Sequence, residues 1–96
     1  MMNPKIKAKW MTALRSGDYK QAKGQLKESD KFCCMGVLID IQDQEYLRTP
    51  GNNVTTSVPP DRFMAGLTTD QCCDLAKKND GRWSFEEIAG YIEMNL

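Results

Sequence analysis

Lys31-Phe32-Cys33-Cys34-Met35-Gly36-Val37-Leu38-Ile39-Asp40 is the one strongly apolar run in this 96-residue chain. Cys34, Val37, Leu38 and Ile41 recur at i, i+3, i+4 and i+7, which is helical spacing. Phe32, Met35 and Ile39 fill the other sides, so the helix is apolar nearly all round and belongs at the centre of the fold. Ser29-Asp30 supplies a cap for it. The helix, read over residues 33–46, fades near Tyr46-Leu47. Gly36 inside it costs about 1 kcal/mol relative to Ala, and a close approach by another helix or strand accounts for its presence.

Towards the N-terminus, Asn3-Pro4 is a helix start, with Asn as cap and Pro at the first helical position. Ile6, Trp10, Ala13 and Leu14 give that helix one apolar face, and Ser16-Gly17-Asp18 stops it. Residues 19–31 are polar and have room for a short hairpin. Towards the C-terminus, residues 48–60 have loop composition, with Val54-Thr55-Thr56 as a brief edge strand. Pro59-Pro60-Asp61 opens a helical turn carrying Phe63, Met64 and Leu67. Thr68-Thr69-Asp70 caps a helix that turns Cys72, Leu75 and Ala76 inward, and Asn79-Asp80-Gly81 reads as a turn. Ser84 and Glu87 form an S-x-x-E capping box before a last helix buried through Phe85, Ile88, Ala89 and Ile92. These elements predict a mainly α domain spanning residues 1–96, with α+β as the alternative class. It is a compact bundle of four to five helices around the central apolar one, with space for one small two- or three-stranded sheet. The last two helices form an αα-hairpin.

Composition narrows the function. A chain with 41% hydrophobic residues supports one modest core, and a deep water-excluding pocket is hard to fit beside it. No apolar run approaches the ~18–20 residues that span a bilayer, and no apolar signal core follows the first residues, so the expected location is the cytoplasm. The chain contains no histidine, which removes the commonest general base and metal ligand together. The four cysteines fall in adjacent pairs, Cys33-Cys34 and Cys72-Cys73. Zinc pairs are spaced C-x₂₋₄-C, whereas adjacent helical side chains point about 100° apart; buried thiols are the expectation, with no metal and no cofactor. No nucleophile sits beside a base in a recognisable frame, and no phosphate-cradling glycine loop is present. An enzyme is not expected.

Net charge is zero but uneven. Residues 1–31 carry eight basic and three acidic residues, and residues 32–96 carry five basic and ten acidic. Two readings follow: the halves attract each other within the fold, or the basic third meets a charged partner. Lys5, Lys9, Lys20, Lys23, Lys27 and Lys31 are the candidate partner-binding residues, with Tyr19 and Trp10 as stacking groups for nucleic acid. Trp10 also belongs to the apolar face of its helix. Arg82 and Trp83, near Tyr91, form a second candidate patch. Ser84-Phe85-Glu86-Glu87-Ile88-Ala89 is similar to the first helix of a helix-turn-helix unit. No recognition helix follows it, and as a recognition helix it would present Glu86, Glu87 and Glu93 to phosphate.

Three blocks carry a resemblance: Asn3-Pro4-Lys5-Ile6-Lys7-Ala8-Lys9-Trp10 through Tyr19, Phe32 to Asp40, and Asn79-Asp80-Gly81 through Ser84-Phe85-Glu86-Glu87-Ile88-Ala89 and Ile92-Glu93. Covering roughly half the chain in order, they resemble small uncharacterised proteins of tailed bacteriophages and prophages. Cys72-Cys73 is not part of that pattern. The resemblance implies a phage product in the host cytoplasm and transfers no functional residue. The leading expectation is an accessory protein that binds and modulates a host macromolecule, first among them a host protein such as a defence or transcription component. The alternatives are a nucleic-acid-associated module using the lysine-rich third, and an oligomeric sponge for a small nucleotide signal.

Overall fold

Asn3 does cap the first helix: its side-chain oxygen accepts from the backbone N–H groups of Lys5 and Ile6, at 2.9 and 3.2 Å. Pro4 opens α1 (Pro4–Ser16), and Gly17, at φ 81°, closes it in the left-handed conformation that glycine tolerates best. The computed structural model describes residues 2–49 and 58–96. After α1 come β1 (Lys20–Gln21), β2 (Lys27–Glu28), β3 (Lys31–Phe32) and α2 (Cys34–Gln42). Two 3₁₀ turns, Tyr46–Arg48 and Asp61–Phe63, precede α3 (Thr69–Asp80) and α4 (Phe85–Asn95). The molecule is a mainly helical four-helix bundle with a small mixed sheet.

The sheet order is β1-β3-β2, with β1 parallel and β2 antiparallel to β3. The expected hairpin is therefore β2–β3. Its turn holds Ser29 at φ 57°, and Lys20 registers against Lys31 from the other side. Ser29-Asp30 consequently makes the hairpin turn and does not cap α2. The cap is Cys33, whose sulfur accepts from the Gly36 N–H at 3.3 Å. The central helix is shorter than the 33–46 read from its apolar pattern. Phe32 is strand, and the helix ends at Gln42, where Asp43 turns to extended backbone. Asp43, Gln44 and Glu45 follow with no apolar side chain to bury, and Leu47 reaches the core from the 3₁₀ turn.

Centrality is as the composition dictates. Cys34 through Asp40 are all buried, packed among Trp10, Leu14, Leu26, Leu75, Ile88 and Ile92. A Cβ on Gly36 would overlap the Leu26 carbonyl oxygen, so glycine here lets the chain before β2 cross α2 at backbone distance. Trp10 is fully buried and donates from Nε1 to the Cys34 carbonyl at 2.9 Å. Helix α1 packs most extensively on α4, then on α2.

Both C-terminal helices carry complete capping boxes, Thr68 with Gln71 and Ser84 with Glu87, and they pack on each other. Asn79 and Asp80 belong to the last turn of α3, and only Gly81 lies outside it. The reason is that Asn79 is fully buried and bonded across the fold. Its Oδ1 accepts from the Cys34 N–H and from Gln21 Nε2, both at 3.0 Å, and its Nδ2 donates to the Ala22 carbonyl at 2.7 Å. The edge strand expected at Val54-Thr55-Thr56 lies outside the described residues. No helix among the described residues is long and apolar enough to cross a membrane.

Candidate functional site

One charged residue lies inside the otherwise apolar central helix. Asp40 is 1% exposed. Its Oδ2 accepts from Tyr19 Oη at 2.5 Å and from Arg48 Nη2 at 3.1 Å. Its Oδ1, also buried, has no hydrogen-bond partner among the described residues. Helix α2 presents Asp40, the bend after α1 brings Tyr19, and the first 3₁₀ turn brings Arg48. The ring of Phe32, on β3, lies edge-on to Tyr19 with centroids 5.2 Å apart, and the Arg48 guanidinium stands 5.6 Å from the Phe32 centroid.

These groups line an open cleft of about 740 Å³ whose rim carries Asp18, Lys20, Lys27 and Asp30. A second cleft of about 510 Å³ runs along the outer flank of α1 past Lys9, Thr12 and Ser16. The two share Asp18, Tyr19 and Gln44, so they form one continuous concave face.

Burial, reinforced by the bond to Asp40, pushes the Tyr19 hydroxyl up to about 12, so it keeps its proton, and its bond to Asp40, well above the pH at which an ordinary phenol ionises. Burial likewise raises the Cys33 and Cys72 thiols to about 11 and Cys34 well above the usual thiol value, so these sulfurs are protonated and poor nucleophiles. Cys73 is half-buried. Among the described residues no three Cys, Asp or Glu side chains cluster as metal ligands.

The residues singled out in the sequence separate into two groups. Lys9, Lys20 and Lys27 share the concave face. Lys20 pairs with Asp30 at 3.2 Å; Lys27 stands 5.8 Å from the Phe32 centroid and donates to the Ser29 carbonyl. Lys5 and Lys31 are exposed and line neither cleft. Lys23 lines neither cleft; in a separate corner it donates to the Gly81 carbonyl at 2.9 Å. In that corner Gln21 Nε2 bonds the Trp83 carbonyl at 2.8 Å. Trp83 meets Tyr91 edge-on at 6.0 Å, with Lys78 placed 5.5 Å from one ring and 4.6 Å from the other. The Lys78 amine is held 2.7 Å from Asp74, which lowers the Asp74 carboxyl and raises the Lys78 amine. Arg82 is exposed beside it.

Charge asymmetry is met only in part within the fold. Among the described residues, Arg15 alone makes ion pairs between the two halves, with Glu93 at 2.8 Å and Glu86 at 3.9 Å. Asp40 and Arg48 were not among the residues singled out. The available signal was a lone acid closing a run that is otherwise buried on every side.

Fold and site together define a small, mainly helical globular domain with a small mixed sheet and a cleft lined by charged and aromatic side chains. Residues 2–56, more than half of the chain, match a family described as a domain of unknown function, DUF8296, and the chain belongs to that family. No curated protein and no solved structure matches it.

Proposed function

We propose that this chain is a phage accessory protein that binds a host protein and modulates it without catalysis, acting in the bacterial cytoplasm. The observation that carries the reading is the continuous concave face, on which Lys9, Lys20, Lys27 and Arg48 alternate with Asp18, Asp30 and Asp40. Mixed signs around an aromatic floor suit a protein surface, because complementary charges orient the encounter and reject wrong partners. They suit a nucleic-acid backbone poorly. Tracking phosphates needs a run of cations without interleaved acids, yet Asp18, Asp30 and Asp40 stand among the lysines of this face, and Lys5, Lys23 and Lys31 lie off it. The phage context rests on the resemblance of the three sequence blocks.

The test is affinity capture from host lysate by the tagged chain, its Lys9→Glu/Lys20→Glu variant and a Lys77→Glu control on exposed α3 surface. The expected result is one stoichiometric protein retained by the first and third and lost by the second. Equal capture by all three overturns the assignment of the face. An eluate dominated by nucleic acid, with retention falling steeply as salt rises, overturns the protein partner.

A further inference from the structure

Arg48 sits in the main cleft as a guanidinium from another molecule would. It stands over the Phe32 ring and reaches Asp40, while its side chain remains 52% exposed. It engages Oδ2 alone, although a guanidinium and a carboxylate fit each other best through two parallel hydrogen bonds. Asp40 Oδ1 takes no bond from any described residue, and buried acceptors are seldom left open. The carboxylate therefore has unused capacity beside an open cleft far larger than one side chain, on an oxygen that is shut off from solvent while Arg48 is in place.

The rim restricts what enters. Lys20 and Lys27 line the same cleft, and Lys27 makes no ion pair with a described residue. A bare cation meets like charge there, whereas a cation with an acidic neighbour is complementary to both floor and rim. An anion alone fits the rim but faces the Asp40 carboxylate at the floor.

We propose that this cleft is a docking site for an arginine side chain of the protein partner, carried on a segment with an acidic residue beside it. This rests on the protein-binding reading above and names its chemistry. The incoming guanidinium stacks on Phe32 and bonds both oxygens of Asp40. Lys20 and Lys27 hold the acidic neighbour, and Tyr19 keeps its bond to Oδ2. Arg48 is displaced into solvent, which it already half occupies. In the free protein Arg48 is a stand-in for the ligand, and it sets the affinity by competing with it.

The experiment is an NMR titration of the full chain with the capped tripeptide Asp-Arg-Asp, its Asp-Lys-Asp counterpart and inorganic phosphate. The arginine peptide is expected to shift the Tyr19 and Phe32 ring signals, the lysine peptide to do so more weakly, and phosphate not at all. Arg48→Ala is expected to bind the arginine peptide about tenfold more tightly, because removing an internal competitor raises the fraction of open sites. A merely structural Arg48 predicts the reverse. Asp40→Asn is expected to abolish binding; if that variant does not fold, the Arg48→Ala comparison decides. Equal response to both peptides, weaker binding by Arg48→Ala, or shifts with phosphate alone overturn the proposal. Persistent capture of a host protein through the concave face, with a silent peptide titration, overturns this inference and leaves the function standing.

Discussion

Tyr19 and Asn79 show how much a single polar side chain decides in so small a core. The Tyr19 proton is held more tightly in the folded chain, at about 12, than at the ordinary value of 10.0. A group raised in this way contributes stability that is whole below pH 10 and is lost as pH climbs through 12. The wild-type chain is thus expected to lose stability across that window, with a phenolate absorbance step near its upper end, and Tyr19→Phe to lack that step. Asn79→Ala strands two buried backbone groups, the Cys34 N–H and the Ala22 carbonyl. Each orphan costs about 1–3 kcal/mol, so a total loss of about 3 kcal/mol in urea unfolding is expected. Neither role was legible in the sequence. Asn-Asp-Gly is turn chemistry when read locally, and the tertiary partners that draw Asn79 into the helix lie 45 and 57 residues away.

At the scale of elements, the strongest local signals survived intact. Asn3-Pro4, Thr68-Thr69-Asp70 and the Ser84/Glu87 box marked three helix starts, because a cap is a bond between near neighbours and needs no knowledge of the rest of the fold. Helix ends were less legible. Residues 43–46 extend the pattern of α2 on paper, yet they supply little apolar surface to hold a further turn in place. The three two-residue strands carry no periodicity to read, and they exist because β3 pairs on both sides. Gly36 was legible as a close approach, although not which segment approaches. Gly36→Ala improves helix propensity by about 1 kcal/mol but forces a methyl group into the Leu26 carbonyl. The expected outcome is a net loss of about 1–3 kcal/mol, since overpacking a rigid contact outweighs the propensity gain; the urea midpoint decides.

Across the whole molecule, the candidate site was half legible. Composition marked the lysines, but which of them share a face depends on β1 and α1 meeting at Tyr19. The cysteines were read as buried thiols, and three are. Alkylation of the native chain at neutral pH is expected to modify Cys33, Cys34 and Cys72 only as fast as the chain unfolds, with mass spectrometry locating the label. Asn79 has a consequence for the order in which the molecule assembles. The clasp that completes the start of the central helix joins residues 34 and 79, so it closes a loop of more than forty residues. Entropy makes such closure slow relative to hairpin and helix formation. During synthesis the family-matched segment therefore leaves the ribosome with its central helix unfinished at the N-terminal end. It must wait for the last third of the chain before its buried amide and carbonyl find their partner.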